Sequence, residues 1–499
     1  RTERDEIAPP LGLLSLARVA QHVGTSVAIE DLNLMYHIVP RLQTAFYETA
    51  LERLLALSGD VYGFTSMAVD SHVALELARR LKSVRPDVRI VLGGPHFSSI
   101  SKEVRERFSW VDNVISGEGE RGFSALLGEK DLGNAGGELV GTDTYSLVQC
   151  AAYFKVNPTR TADFEVGRGC RYKCTFCYSP KFYEGVRNYS IEQIVERFAG
   201  LKKIGFERVF VVNDNLLNDR EWALGLCRAL EEARLGLTWS CYVTLPDLTE
   251  EVARRLGRAG CRQVFMGVDV VGRTSETTFH KRFLPRNVQF DRKLKALTDA
   301  GVRPTCGFIL APASHPASVD VDATLSAALE ARLNGADVVI NALSLYPGTA
   351  AYHPETPVAA DPLQVQLLMD VPSIVEHNHL AGAVPHLFPF HSRYTSESEW
   401  REFMFFCHAA HTLVNSFPEA IQSVSSERSV RPSGLLREVS RMSGDLMRLL
   451  PAERRPAEQQ AALELLTQAA PGDVSPSDPL KAGGAGDALP CQGIRQTSW

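Results

Sequence analysis

Short apolar runs closed by glycine or a polar residue alternate with amphipathic stretches along most of this chain, and that alternation most tightly limits its fold. Strands that are apolar on both faces belong to parallel sheets covered by helices on either side. Two such series are visible. In the first, Ser26–Asp31, Asp60–Thr65, Val88–Gly93 and Val111–Ser116 read as strands. Val73–Val84 reads as a helix between them, with Leu75, Leu77, Ala78 and Leu81 as its apolar positions. The pattern predicts a doubly wound parallel sheet, whose ligands bind beyond the strand C-termini. Pro9-Pro10-Leu11-Gly12 leads straight into a helical pattern and the chain opens on Arg1, not Met, so a first strand upstream is expected.

The second series begins at Ala162. Its strands are Asp163–Gly167, Arg208–Val212, Trp239–Val243, Gln263–Val268, Pro304–Leu310 and Asp337–Leu343, with Ile191–Ile204 and Glu250–Ala259 among the helices. Six βα units in about 190 residues predict a partial barrel, with its active site at the strand C-termini. The expected organisation is therefore residues 1–130 as the first α/β domain, 131–160 as a linker without sustained period, and 161–355 as the barrel. A helical region over 356–450 follows, Glu397–Val414 being its clearest helix. From residue 451 to 499 the chain is rich in Ala, Pro, Gly, Ser and Gln, the composition of a disordered tail.

With 44% hydrophobic and 22% charged residues the chain has ordinary globular composition. Its net charge of −6 argues against a protein built to hold nucleic acid or an anionic membrane. No apolar run approaches the roughly 20 residues that span a bilayer. The opening Arg1-Thr2-Glu3-Arg4-Asp5-Glu6 has no apolar stretch of a signal peptide, so a cytoplasmic enzyme is expected. Of ten cysteines, Cys150, Cys227, Cys241, Cys261, Cys306, Cys407 and Cys491 are scattered singly and read as small buried residues or inert thiols.

The other three fall together in Gly169-Cys170-Arg171-Tyr172-Lys173-Cys174-Thr175-Phe176-Cys177-Tyr178, just after the first barrel strand. Thiolates spaced three and then two residues apart on a loop can face one centre, and soft thiolates suit iron–sulfur clusters or zinc. A structural zinc site asks for four protein ligands, and no neighbouring cysteine pair supplies the fourth. Three thiolates on a cubane leave one iron open for a ligand. The spacing, with an aromatic before the last cysteine, resembles the radical S-adenosylmethionine (SAM) superfamily. That resemblance implies a [4Fe-4S] cluster on Cys170, Cys174 and Cys177, whose open iron chelates SAM and breaks it to a 5′-deoxyadenosyl radical. It also places Phe176 near the adenine, and Asp214, in Val209-Phe210-Val211-Val212-Asn213-Asp214-Asn215, toward SAM. Val264-Phe265-Met266-Gly267-Val268-Asp269 resembles the family's fourth strand and so implies Asp269 at the SAM ribose, although Asp269 and Val270 stand in place of the more usual Glu-Ser. Gly307-Phe308-Ile309-Leu310 and Tyr346-Pro347-Gly348-Thr349 resemble the later strand and the closing turn.

Upstream, Pro9-Pro10-Leu11-Gly12, Val91-Leu92-Gly93-Gly94-Pro95-His96 and Ser116-Gly117-Glu118-Gly119-Glu120 resemble the Rossmann-like cobalamin-binding domain that precedes the barrel in one radical SAM class. Gly93, Gly94, Gly117 and Gly119 let backbone approach a large ring, Glu118 lies within that motif, and Thr65 and Ser66 are placed to bond the nucleotide tail. The Asp-x-His-x-x-Gly motif is absent: none of His22, His37, His72 and His96 has its flanking residues. Cobalamin without a histidine on cobalt is the expectation. His377, His379, His386, His391, His408 and His411 show no zinc spacing and read as packing or cavity residues. Lys281 and Arg282 read either as anion-binding or as a solvated helix end.

The resemblance implies a methyltransferase acting on an unactivated carbon of a small, specialised-metabolite substrate. One SAM methylates cobalamin, and a second yields the radical that removes the hydrogen. An electron donor such as flavodoxin or ferredoxin is the implied partner, and no protein base is nominated. The alternatives are a non-methylating rearrangement, cyclisation or epimerisation, and a non-catalytic cobalamin or cluster sensor. The C-terminal segment carries no nucleic-acid motif that would make an effector of it.

Overall fold

The computed structural model describes residues 7–38, 45–68, 70–128, 141–281, 290–311, 316–352 and 397–442. The expected tail, the histidines from 377 to 391, Arg282 and Cys491 lie outside them. The N-terminal part holds a parallel sheet of β1 (Val61–Thr65), β2 (Arg89–Gly93) and β3 (Asn113–Val114), in that order. Helices α1 (Leu11–His22), α2 (Leu32–Ile38) and α3 (Phe46–Ala56) precede β1, and α4 (Ser71–Val84) follows it. Leu75, Leu77, Ala78 and Leu81 of α4 bury one stripe against Ile90 and Leu92 of β2 in a single core. Short helices α5 (Pro95–Ser99) and α6 (Ser101–Arg107) follow β2, and α7 (Gly119–Leu126) follows β3.

Two expectations fail here. Ser26–Asp31 forms no strand, although its burial alternates weakly. Asp31 ends it as a helix cap, accepting from the backbone N–H groups of Asn33 (2.9 Å) and Leu34 (3.2 Å). The expected linker also contains structure: a 3₁₀ turn at Thr142–Leu147 and helix α8 (Cys150–Val156). Tyr145 enters the barrel core, and Tyr153 packs with Ile7 and Leu34 and donates to Asp31 Oδ2 at 2.6 Å. Two tyrosines on so short a stretch give no period, which is why it reads as a linker.

All six expected barrel strands are present: β4 (Thr161–Phe164), β7 (Arg208–Val211), β8 (Thr238–Val243), β9 (Cys261–Asp269), β10 (Arg303–Leu310) and β11 (Asp337–Ala342). Between β4 and β7 lie the two-residue strands β5 (Gly167–Arg168) and β6 (Arg187–Asn188), the turn α9 (Ser179–Phe182) and α10 (Ile191–Ile204). The six long strands are parallel, in the order β4-β7-β8-β9-β10-β11, an open barrel. Val209, Val211, Val264, Met266 and Val268 point into the helix-covered core. The alternate residues Phe210, Tyr242 and Phe265 form an edge-to-face row, with centroids 5.1 and 5.6 Å apart. The outer helices are α11 (Arg220–Ala233), α12 (Glu250–Arg258), α13 (Arg273–Thr277), α14 (Phe290–Asp299) and α15 (Val321–Leu333).

The C-terminal helices α16 (Glu397–Ser416), α17 (Pro418–Glu427) and α18 (Pro432–Met442) complete the same core. Helix α16 covers the open edge at β11. Asn415 accepts from Val338 N (3.0 Å) and donates to Val338 O (2.7 Å), and His411 Nδ1 accepts from Ile340 N (3.3 Å). These side chains satisfy backbone groups that another strand would otherwise take. His411 is thus committed to packing, and burial lowers the pKa of His408. Asn415→Leu strands both Val338 groups and is expected to cost about 2–4 kcal/mol, since each unmet buried group costs about 1–3 kcal/mol. Thermal unfolding checks this, and an unchanged midpoint would show that the edge does not depend on Asn415.

Candidate functional site

The cysteine loop leaves the C-terminal end of β4 through the β5–β6 ribbon. Gly169 has φ +83°, and a side chain there would collide with the Gly185 carbonyl, so the ribbon closes only over glycine. Asn218, beyond β7, brackets the first cysteine: its Nδ2 donates to Gly169 O (2.8 Å) and its Oδ1 accepts from Arg171 N (3.1 Å). Asp247, beyond β8, accepts from Arg171 and from the Tyr172 hydroxyl (3.0 Å). Thr175 N donates to Phe279 O (3.1 Å) and Thr175 Oγ1 to Thr278 O (2.8 Å), while Ala351 N donates to Thr175 O (2.8 Å). Backbone and side chains from four strand ends therefore fix the loop.

Cys170, Cys174 and Cys177 are free thiols, partly buried. Burial pushes Cys177 up to about 12 and Cys170 up to about 11, with the Asp214 carboxylate and the neighbouring thiols adding to the rise. Cys174 is raised by burial as well, against the pull of the Lys281 ammonium. Bound metal supplies the positive charge such thiols need in order to lose their protons. Among the described residues no three His, Cys, Asp or Glu side chains crowd together as around a single ion. A cubane needs less crowding, because each thiolate binds a different corner iron, and three free thiols on one braced loop fit that donor set.

Phe176 meets Phe279 edge to face, with centroids 5.4 Å apart, in a small cluster with Leu343 and Leu345 beyond β11. Asp214, beyond β7, accepts from Ser179 Oγ at 2.8 Å, and burial raises its carboxyl. Its neighbours Asn213 and Asn215 are buried and turn inward: Asn213 Oδ1 accepts from Asn215 N (2.9 Å), and Asn215 Oδ1 from Leu217 N and Thr244 N (both 3.2 Å). Asp269 ends β9 at φ +61°, 8% exposed, and its carboxylate is paired with the Lys281 ammonium. Lys281 is not a solvated helix end. It is 3% exposed, its Nζ also donates to Gly267 O at 2.8 Å, and burial lowers it to about 8. The sequence singles out this lysine but not its burial or its pairing with Asp269, because a buried cation leaves no periodic trace.

On the N-terminal sheet, Thr65, Ser66, Gly93, Gly94 and Gly117 gather at the strand C-termini. Gly94 has φ +91°, and a Cβ there would lie 2.7 Å from Thr65 Oγ1 and 2.8 Å from Ser66 O. Gly117 N donates to Ser98 Oγ at 3.0 Å. Glu118 pairs with Arg187 and with Arg168 (2.9 Å), and Gly119 lies against Leu16 of α1. Arg168 also binds Glu120 (2.6 Å) and Glu165 (2.8 Å), tying this motif to the residues just before Cys170. The Tyr178 hydroxyl, one residue after Cys177, donates to Pro95 O, beside Gly94. Gly348 of the closing turn has no side chain to strike Tyr178 and Ser99. The cysteine loop, the Gly93-Gly94-Pro95 turn and the closing turn thus meet at one place.

Residues 164–312 match the family model of the Radical SAM superfamily, and residues 1–127 match that of the B12 binding domain. The chain belongs to the radical SAM superfamily and carries a B12-binding domain. Its cofactors are those of the two domains: a [4Fe-4S] cluster with SAM, and cobalamin. An uncharacterised methyltransferase of Pyrococcus horikoshii is 22% identical over 293 residues, 52% of this chain and 61% of that protein. The hopanoid C-3 methylase of Methylococcus capsulatus is 24% identical over 378 residues, 70% of this chain and 68% of that protein. The chain thus spans less than two thirds of the length of the first of these relatives. The radical SAM fold with its B12-binding domain is shared with the cobalamin-dependent SAM radical enzyme OxsB, solved with aqua-cobalamin bound. The TM-score is 0.59 at 12% identity, over 93% of this chain and 73% of that one.

The B12-binding domain has a feature that suits its cofactor. Ser66 is 5% exposed, and its Oγ is buried without a hydrogen-bond partner. A lone buried hydroxyl beside a glycine turn is what a ligand's polar atom would satisfy. His96 and His72, at the same sheet end, are buried, and burial together with His96 holds His72 down to about 3. Among the described residues no helix is long and apolar enough to cross a membrane.

Proposed function

We propose that this chain is a cobalamin-dependent radical SAM methyltransferase acting on an unactivated carbon of a small molecule. The observation that carries this reading is a side chain that joins the two sites: Tyr178, adjoining Cys177, bonds the Pro95 carbonyl beside Gly94. Methyl transfer to a substrate radical requires donor and radical source to face one cavity, and such a junction aligns them. Cys170, Cys174 and Cys177 hold the cluster, Phe176 packs at the adenine, and Asp214 faces SAM. Thr65, Ser66, Gly93, Gly94 and Gly117 form the cobalamin cradle. Once bound, the cofactors supply the radical and the methyl group. The chain's residues orient them and exclude water, and no side chain is required as a base. The one-electron supply comes from a flavodoxin- or ferredoxin-type donor.

Reduced holoprotein given methyl-labelled SAM and a small-molecule extract is expected to release 5′-deoxyadenosine and S-adenosylhomocysteine, with label appearing in a product one methyl heavier. Release of 5′-deoxyadenosine with no mass gain would favour rearrangement or cyclisation, and no SAM cleavage at all would sink the enzymatic reading.

A further inference from the structure

Lys281 is a buried site feature that the proposed roles leave unexplained. A lysine is rarely so buried unless paired, yet this one is 3% exposed at the barrel mouth. Its backbone is pinned, Lys281 N donating to Ser275 O at 2.8 Å. Two and three residues earlier, the Phe279 and Thr278 carbonyls accept from Thr175 inside the cysteine loop. The ammonium is held between Asp269 and the Gly267 carbonyl and has the three loop thiols as electrostatic neighbours. Asp269 is occupied in turn: its carboxylate, which the family resemblance directs toward SAM, serves as the counter-ion of Lys281.

We infer that Lys281 is a positioning residue for the iron–sulfur site: its ammonium, held by Asp269 and Gly267 against the cysteine loop, makes the cluster easier to reduce. This rests on the assignment of the cluster to Cys170, Cys174 and Cys177. Accepting an electron from the donor protein adds one negative charge to a group already carrying three thiolates, in a site where burial weakens screening. A fixed cation beside it favours the reduced form. Asp269 tempers that effect by partly neutralising the cation, so the two side chains act in opposite directions.

The test is an electron-paramagnetic-resonance redox titration of the reconstituted full chain, with iron and sulfide content measured alongside. Lys281→Met is expected to shift the reduction equilibrium at least tenfold toward the oxidised form, about 59 mV more negative for one electron. Lys281→Arg restores it. Asp269→Asn keeps the cation and removes its counter-ion, so its potential moves in the positive direction, and it decides the question even if Lys281→Met does not fold. Normal iron content with an unmoved potential in Asp269→Asn, or in a folded Lys281→Met, overturns the inference alone. Wild-type protein that takes up no iron overturns the cysteine assignment and this inference together.

Discussion

Alanine at any one of Cys170, Cys174 or Cys177 is expected to cut SAM cleavage by more than about 100-fold, while alanine at Cys227, Cys261 or Cys306 leaves it intact. Losing an outer-shell partner of a metal ligand already costs about 10–100-fold, and losing a ligand costs more. The two sets of cysteines differ in setting more than in burial. Cys227, Cys261 and Cys306 lie within the barrel core among aliphatic side chains. There, burial pushes Cys227 and Cys306 up to about 12, with Arg255 and Arg228 offsetting only part of the rise at Cys227. The loop cysteines sit on a segment anchored by Asn218, Asp247 and the 278–279 backbone, where the Lys281 ammonium offsets part of the rise that burial imposes on Cys174. Core replacements remove a sulfur from packed surroundings and cost stability alone, about 1–2 kcal/mol each. Iron content and 5′-deoxyadenosine release are the readouts. Cleavage that survives the triple Cys170, Cys174, Cys177 replacement would end the assignment.

What the sequence makes legible is what is local. Helix α10 could be read to its ends because Ser190 caps it, accepting from Gln193 N, and Gly205 at φ +110° stops it. The six barrel strands could be read because each is a short apolar run buried on its helix-facing side. Ser26–Asp31 has a similar composition but is not paired into the sheet, and pairing is not written in a single segment. The site divides in the same way. Three cysteines on one loop announce themselves, and the glycines around Gly94 do so nearly as well. Glu118 reads as part of a glycine turn, yet its partner Arg168 is 50 residues away. The Lys281–Asp269 pair spans a turn and α13, and both residue types ordinarily read as solvated. Tyr178 is conspicuous only once Pro95 is seen beside it. Contacts between the two α/β parts are long-range, so no spacing rule reaches them.

Arg168→Met is expected to destabilise the protein by about 3–5 kcal/mol at neutral pH, because it leaves carboxylates in a buried junction without their cation. The Arg168 side chain is 10% exposed and that of Glu120 8%. One guanidinium serves Glu118, Glu120 and Glu165 through separate N–H groups, an arrangement lysine cannot copy, so Arg168→Lys should recover part of the loss. The pH dependence separates charge from packing. Burial alone would raise the Glu120 carboxyl, but Arg168, aided by Ser15, holds it at about 2, below its ordinary 4.5. The unfolded chain therefore takes up this proton first as the solution is acidified. The stabilisation from Glu120 is complete above 4.5 and is lost as pH falls toward about 2. Glu165 runs the other way: burial raises it despite Arg168 and Tyr189, so its own contribution is largest in acid and fades as pH rises. In Arg168→Met both carboxyls lose their cation and become easier to protonate, which relieves the variant in acid. The difference in thermal midpoint between wild type and variant is thus widest near neutrality and narrows below pH 4.5. A difference that stays constant across that range would assign the loss to packing of the arginine stem rather than to the ion pairs joining the B12-binding domain to the cysteine loop.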